Sequence, residues 1–224
     1  MICSECIFII KTPIFNIQGY VHTLLDGAIN DNLVNKKYLH RTSKSIDRLI
    51  AIIDDLDALA RLESDELKLE KTSWDILDLI KEVFETFEVK SEKKNIELIL
   101  PKKKRPIIVF ADRSQINQVL YNLLSNGIKY GKESGFIKAF IQNEENHIMI
   151  TIQDNGIGID EKNIPRLFER FYRVDKGRSR EEGGTGLGLA IVKHILETHN
   201  ETIQVTSKKK SGTKFIFSIK KSKK

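Results

Sequence analysis

The chain has 224 residues, a mass of 25.7 kDa, 40% hydrophobic residues and a formal net charge of +6, room for one ordinary domain plus a smaller element around an apolar core. No apolar run approaches the roughly 20 residues needed to cross a bilayer, the N-terminus lacks the layout of an export signal, and Cys3 and Cys6 alone form neither a disulfide framework nor a complete zinc site. A reduced, cytoplasmic, folded protein with no membrane segment in this chain is expected. The basic clusters, Lys102 to Arg105, Lys208 to Lys210 and the tail from Lys220, have no interleaved aromatic residues for base stacking. They read as solvated turns and a tail, with no nucleic-acid partner.

Taken in order, Ile7, Ile10, Ile14, Ile17, Val21, Leu24 and Ala28 recur at three- and four-residue steps, a helical seam. Pro13 falls inside it and should kink the helix or sit near its start. After Asp26-Gly27 and Asn30-Asp31-Asn32 a second seam runs through Leu39, Thr42, Ile46, Leu49, Ile53, Leu56 and Ala60. The two make an antiparallel hairpin, whose uncovered apolar stripe calls for a second copy in a four-helix bundle. Residues 63–72 alternate as a short strand and mark the boundary between a helical domain, 1–65, and a second domain, 66–224. There a helix starts near Asp75 with Ile76, Leu79, Ile80, Val83, Phe84 and Phe87 on one face. Strands over 96–100 and 107–110 follow, then a helix over 113–130 capped by Asp112 and ended by Gly131. A strand hairpin over 136–142 and 147–153, a long polar segment over 157–185, a helix over 186–199 and strands over 202–207 and 214–219, turning at Ser211-Gly212, complete the chain. Helices segregated from a mixed, mostly antiparallel sheet indicate an α+β class, with the second domain an α/β sandwich.

Three stretches of this domain carry chemistry. Asn122 and Asn126, four apart, and Lys129 and Tyr130 beyond them put two amides and an ammonium on one helix face. An amide oxygen is a hard ligand suited to Mg2+, and a lysine is a point charge for phosphate. Asp154 ends an alternating strand, followed by Gly156 and Gly158. Its carboxylate can accept the exocyclic amino group of adenine, and the glycines let backbone approach base and sugar. Gly184, Thr185, Gly186, Leu187 and Gly188 open an apolar helix pattern and offer unpaired N–H groups and a positive dipole end to an anion. Each stretch alone also fits a wet helix face, an ordinary turn or a mobile loop; their conjunction and order are specific.

Asn-x-x-x-Asn-x-x-Lys-Tyr, Asp-x-Gly-x-Gly, Phe168-Glu169-Arg170-Phe171-Tyr172 and Gly-x-Gly-x-Gly, in this order, resemble the four nucleotide boxes of the sensor histidine kinases of two-component systems, whose ATP-binding fold is shared with DNA gyrase B, Hsp90 and MutL. The helical hairpin is similar to their dimerisation and phosphotransfer domain. The resemblance implies an ATP-dependent protein-histidine kinase with ATP and Mg2+ as cofactors. It acts as a homodimer, or as a heterodimer with another histidine kinase, and passes phosphate on to a response regulator. By the same resemblance Asn126 ligates Mg2+ with Asn122 beside it, Lys129 touches phosphate and Tyr130 packs near the base. Asp154 reads adenine in a pocket lined by Gly156 and Gly158, and Gly184 to Leu189 close over the triphosphate. Phe168, Phe171, Tyr172 and Arg173 belong to a lid that touches the helical domain. Relatives resembling gyrase place a glutamate one turn before the magnesium asparagine, where it activates water. Asn122 occupies that place here and has no such basicity, which favours phosphoryl transfer over hydrolysis.

The first helix departs from the family. Its motif His-Glu-x-Lys-Thr-Pro ends in Lys11-Thr12-Pro13, but the register puts Phe8 at the nucleophilic histidine and Ile9 at the adjacent acid. A phenyl ring has no lone pair to attack phosphorus, so autophosphorylation at this position is not expected. His22 lies roughly 20 Å away along the helix, and His22, His40, His194 and His199 read as surface residues. Two explanations stand: a truncated or frame-shifted reading frame upstream of Lys11, or loss of the acceptor with retention of the nucleotide site, giving a regulatory adaptor that works by heterodimerisation. Thr12 retains the hydroxyl that the family uses to place water for dephosphorylating the regulator.

Overall fold

A computed structural model describes residues 4–63, 69–102, 105–174 and 184–222. Two long helices, α1 (Ser4–Leu25) and α2 (Asn32–Glu63), form the expected hairpin, joined by a short 3-10 turn at Ala28–Asn30. Helix α1 runs on through Pro13. Helix α2 begins seven residues before the seam because Asp31 caps it, its carboxylate accepting from the N–H groups of Leu33 and Val34 at 2.9 and 3.3 Å. Its two apolar faces have different fates. Leu39, Ile46 and Ile53 of the seam are exposed, whereas Ile52 and Leu59 are buried, Leu59 within the core of the second domain.

Of the strand expected over 63–72, Glu63 is the last residue of α2, and Glu70 and Lys71 lie outside any strand. Residues 64–68 lie outside the described part, and β1 occupies Thr72–Asp75. Before it, the Glu70 N–H goes to the carboxylate of Asp112 at 3.1 Å rather than into a ladder. Strand β1 pairs antiparallel with β3 (Ile108–Ala111). Between them lie α3 (Ile76–Thr86), a short α4 (Glu88–Glu92) that sequence periodicity had not indicated, and β2 (Glu97–Ile99). Asp75 caps α3 by accepting from Leu77 N–H at 3.0 Å. Asp112 caps α5 (Arg113–Tyr130) by accepting from Ser114 and Gln115. Strands β4 (Phe136–Asn143) and β5 (His147–Asp154), helix α6 (Gly188–Thr198), β6 (Ile203–Lys208) and β7 (Gly212–Lys220) complete the domain.

The main sheet has the order β2-β4-β5-β7-β6, parallel at β2-β4 and antiparallel elsewhere. The apolar stripes of α3, α5 and α6 and the inward residues of β4, β5 and β7 form one core. Gly127 permits close packing of α5 on β4: a Cβ there would lie 2.9 Å from Ile137 Cδ1.

His199 corrects the expectation that all four histidines lie at the surface. It is only 6% exposed. Its Nε2 accepts from the Asp112 N–H at 3.1 Å, so Nδ1 carries the proton and donates to the Ile195 carbonyl at 2.8 Å. Burial pushes its pKa below the usual histidine value. His22 and His40 are exposed.

Candidate nucleotide site

The outward face of α5 meets the ends of β5 and α6. Asn122, Asn126, Lys129 and Tyr130 are half-buried along that face. The loop from Gly184 to Gly188 lies against it. A Cβ built at Gly184 would fall on Lys129 Nζ, and one at Gly188 would lie 3.2 Å from Asn122 Oδ1. The Nδ2 atom of Asn122 is buried and has no hydrogen-bond partner among the described residues. Lys129 Nζ also lies 5.1 Å from the centre of the Tyr130 ring. The backbone of Tyr130 supports the next segment, its carbonyl accepting from Ile157 N–H at 3.1 Å.

Asp154, the last residue of β5, is half-buried. Its Oδ1 accepts from the N–H groups of Gly156 at 2.8 Å and Thr213 at 3.3 Å. Burial pushes its carboxyl above the ordinary carboxylate range, although those two bonds pull the other way. Gly156 packs against the Tyr130 carbonyl, and a Cβ there would lie 2.9 Å from Asp154 Oδ1. Gly158, at φ +63°, packs against the Lys208 carbonyl.

The residues following Gly158 fold back over this corner. A 3-10 turn at Glu161–Arg166 is braced by the Arg166–Glu169 ion pair at 2.8 Å and by the Tyr172 hydroxyl donating to Asn163 at 2.9 Å. Phe168 and Phe171 pack against the core. Phe171 adopts φ +61° and donates its N–H to the Gly186 carbonyl at 2.9 Å. Gly186 is itself at φ +81°, and a Cβ there would lie 2.9 Å from Phe171 Cα. This left-handed backbone ends any helix, so α6 starts at Gly188 and not at 186. Arg173 is half-buried beyond this clasp, and residues 175–183 of the expected lid, with Gly183, lie outside the described part.

The site also uses residues that local pattern did not disclose. Thr185 Oγ1 donates to Asp55 Oδ2 of α2 at 2.5 Å and accepts from Leu187 N–H at 3.2 Å. Burial pushes the Asp55 carboxyl up, against the hydrogen bond from Thr185. The turn between β6 and β7 forms a further wall: Gly212, at φ +96°, abuts the Asp154 carbonyl, and Thr213 reaches its carboxylate. Only Ser211-Gly212 gave a sequence signal here, and it read as a turn. Phe8 and Thr12 belong to α1, in the helical hairpin.

Residues 111–223 match a family model described as histidine kinase-, DNA gyrase B- and HSP90-like ATPase, and residues 10–65 match the His kinase A (phospho-acceptor) domain. The sensor histidine kinase WalK of Bacillus subtilis (strain 168) is 34% identical over 212 residues, 94% of this chain and 34% of that protein. The chain thus spans about a third of that relative. The histidine kinase AdeS of Acinetobacter baumannii superposes with a TM-score of 0.75 at 26% identity, covering 95% of this chain and 97% of that one. A structure of histidine kinase ThkA in complex with response regulator protein TrrA gives 0.77 at 29% identity, covering 95% and 59%.

Proposed function

The chain belongs to the histidine kinases, and from that premise we propose that it binds Mg-ATP between α5, Asp154 and the Gly184–Gly188 loop for phosphoryl transfer to a histidine and then to a response-regulator aspartate. The observation that carries the reading is the half-buried Asp154 carboxylate at the end of β5. A carboxylate is costly to bury, and Asp154 spends one oxygen on two backbone N–H groups, which leaves Oδ2 as the acceptor for the adenine amino group. Lys129 and the N-terminus of α6 supply positive ends for the phosphates.

The residues present also fit a magnesium ion. Asn122 and Asn126 are half-buried on one face of α5, with Asn122 Oδ1 beside Gly188 of the loop, so a cation here would be held by their amide oxygens together with the phosphates. Bound there, Mg2+ would neutralise charge on the transferred group. Asn122 orients and does not take a proton, which favours transfer over hydrolysis. The exposed seam of Leu39, Ile46 and Ile53 supports pairing with a second kinase chain.

The acceptor is the point of departure. Phe8 stands in the register of the nucleophile, so this chain does not phosphorylate itself there. It can serve a partner chain that brings its own histidine, because nucleotide and acceptor belong to different domains. Incubation with labelled ATP should give no acid-labile phosphoprotein, and Phe8→His with Ile9→Glu should restore one. Mixing with an intact kinase whose own ATP site is disabled should label that partner. Absence of that transfer, with ATP binding intact, favours the second reading, a non-catalytic ATP-binding adaptor. Lack of Mg2+-dependent binding of an ATP analogue in calorimetry would sink both.

A further inference from the structure

We propose that Ser207, at the end of β6, is a positioning residue for the base-reading carboxylate of Asp154 and acts through its hydroxyl. The inference rests on the reading of this corner as an ATP site. Ser207 Oγ has three close partners. It accepts from the Ile159 N–H at 2.8 Å, donates to the Gly212 carbonyl at 2.8 Å, and lies 3.0 Å from Thr213 Oγ1. A hydroxyl carries one proton and two lone pairs. Because that proton is directed at Gly212, Thr213 is the donor in the third contact, and Ser207 Oγ is saturated.

One atom therefore joins β6, the turn that follows Asp154, and the first two residues of β7. The same segments hold the carboxylate, since the Gly156 and Thr213 N–H groups both donate to Asp154 Oδ1. They touch again where Lys210 N–H donates to the Ile157 carbonyl at 2.6 Å and where Gly212 abuts the Asp154 carbonyl. A shift on either side reaches Asp154 directly. With Oδ1 occupied, Oδ2 is the oxygen left for a purine. Thr213 Oγ1, its proton committed to Ser207, keeps only acceptor capacity. Neither oxygen can donate, which suits an amino group and penalises an oxo group. Removing the Ser207 hydroxyl leaves the part-buried Ile159 N–H and the Thr213 hydroxyl to find new partners, and frees the hairpin to move away from Asp154.

The test compares a non-hydrolysable ATP analogue with purine riboside triphosphate carrying the same phosphate-chain replacement, which has the same sugar and phosphates but no 6-amino group. Both are titrated calorimetrically into the whole chain. The unaltered chain should prefer the ATP analogue. Ser207→Ala should weaken that analogue about tenfold while leaving purine riboside triphosphate within about twofold, and Ser207→Thr should restore the preference. Equal losses for both ligands, or no loss for either, overturn the proposal, since a residue that merely props the fold would not discriminate the amino group. If Ser207→Ala does not fold, Ser207→Cys, whose thiol is a weak donor and a weak acceptor, is titrated against the same pair with the same two outcomes. An unaltered chain that binds neither ligand overturns the ATP reading itself, and this inference with it.

Discussion

Replacing Asp154 by asparagine keeps the shape of the side chain and removes its charge, and the surrounding bonds set what is lost. The amide oxygen can still accept from Gly156 and Thr213, now at 2.8 and 3.3 Å. The amide nitrogen then takes the place of Oδ2 and turns two protons toward the adenine amino group. Loss of a hydrogen bond to a charged acceptor costs about 1.5–3 kcal/mol, so affinity for an ATP analogue should fall roughly 10- to 150-fold. Stability of the nucleotide-free protein should move the other way or not at all. The raised pKa of Asp154 means that its contribution to stability is complete below the ordinary value of 3.8 and is lost as pH rises through the folded value. At neutral pH the ionised group therefore works against the fold, and asparagine relieves it. Thermal melts with and without analogue measure both effects. At one hundred times the original Kd the ligand stabilises the unaltered chain by about 2.7 kcal/mol, and a hundredfold weaker variant retains only about 0.4 kcal/mol. A variant with an undiminished nucleotide-induced shift, or one destabilised without nucleotide at unchanged affinity, would refute the reasoning.

Asp55→Ala should release Thr185 and withdraw a carboxylate from the phosphate end of the site, tightening analogue binding about three- to tenfold in calorimetry; weaker binding would show that the Asp55–Thr185 bond supports the loop. Gly186→Ala places a Cβ against Phe171 at a left-handed backbone and should cost about 1–3 kcal/mol in urea unfolding. Gly19→Ala in α1, with nothing within 4 Å, should gain up to about 1 kcal/mol. His199 is buried with a lowered pKa, so the unfolded chain takes up its proton first and stability should fall as pH drops below the ordinary value of 6.5. Lys71, Asp112 and Glu201 face it and shape that response. His199→Gln should flatten the loss of thermal midpoint between pH 7.5 and 5.5.

Much of this architecture was legible because it is written in local chemistry. Asp75 and Asp112 cap the helices they precede, and the stripe from Ile76 to Phe84 is the buried face of α3. The glycine boxes announced themselves because close backbone approach excludes larger residues, as Gly184 beside Lys129 and Gly156 beside Tyr130 illustrate. Glu70 lies outside the strand expected to include it because alternation does not state which N–H groups find a ladder partner, and its own finds a carboxylate. His199 was misread because its neighbours in sequence say nothing of Asp112, 87 positions away.

By itself the sequence determined the helical hairpin, the α+β domain and the order of the asparagine, aspartate and glycine motifs, because each depends on spacing within a few turns or on residue identity alone. Only the tertiary structure decided how the two parts meet and what holds the Asp154 carboxylate. Thr185 bonds to Asp55 across 130 positions, Thr213 donates to Asp154 across 59, and Ser207 links Ile159 to the last hairpin across 48. Such contacts form when the sheet brings strand ends together, and no local periodicity encodes them.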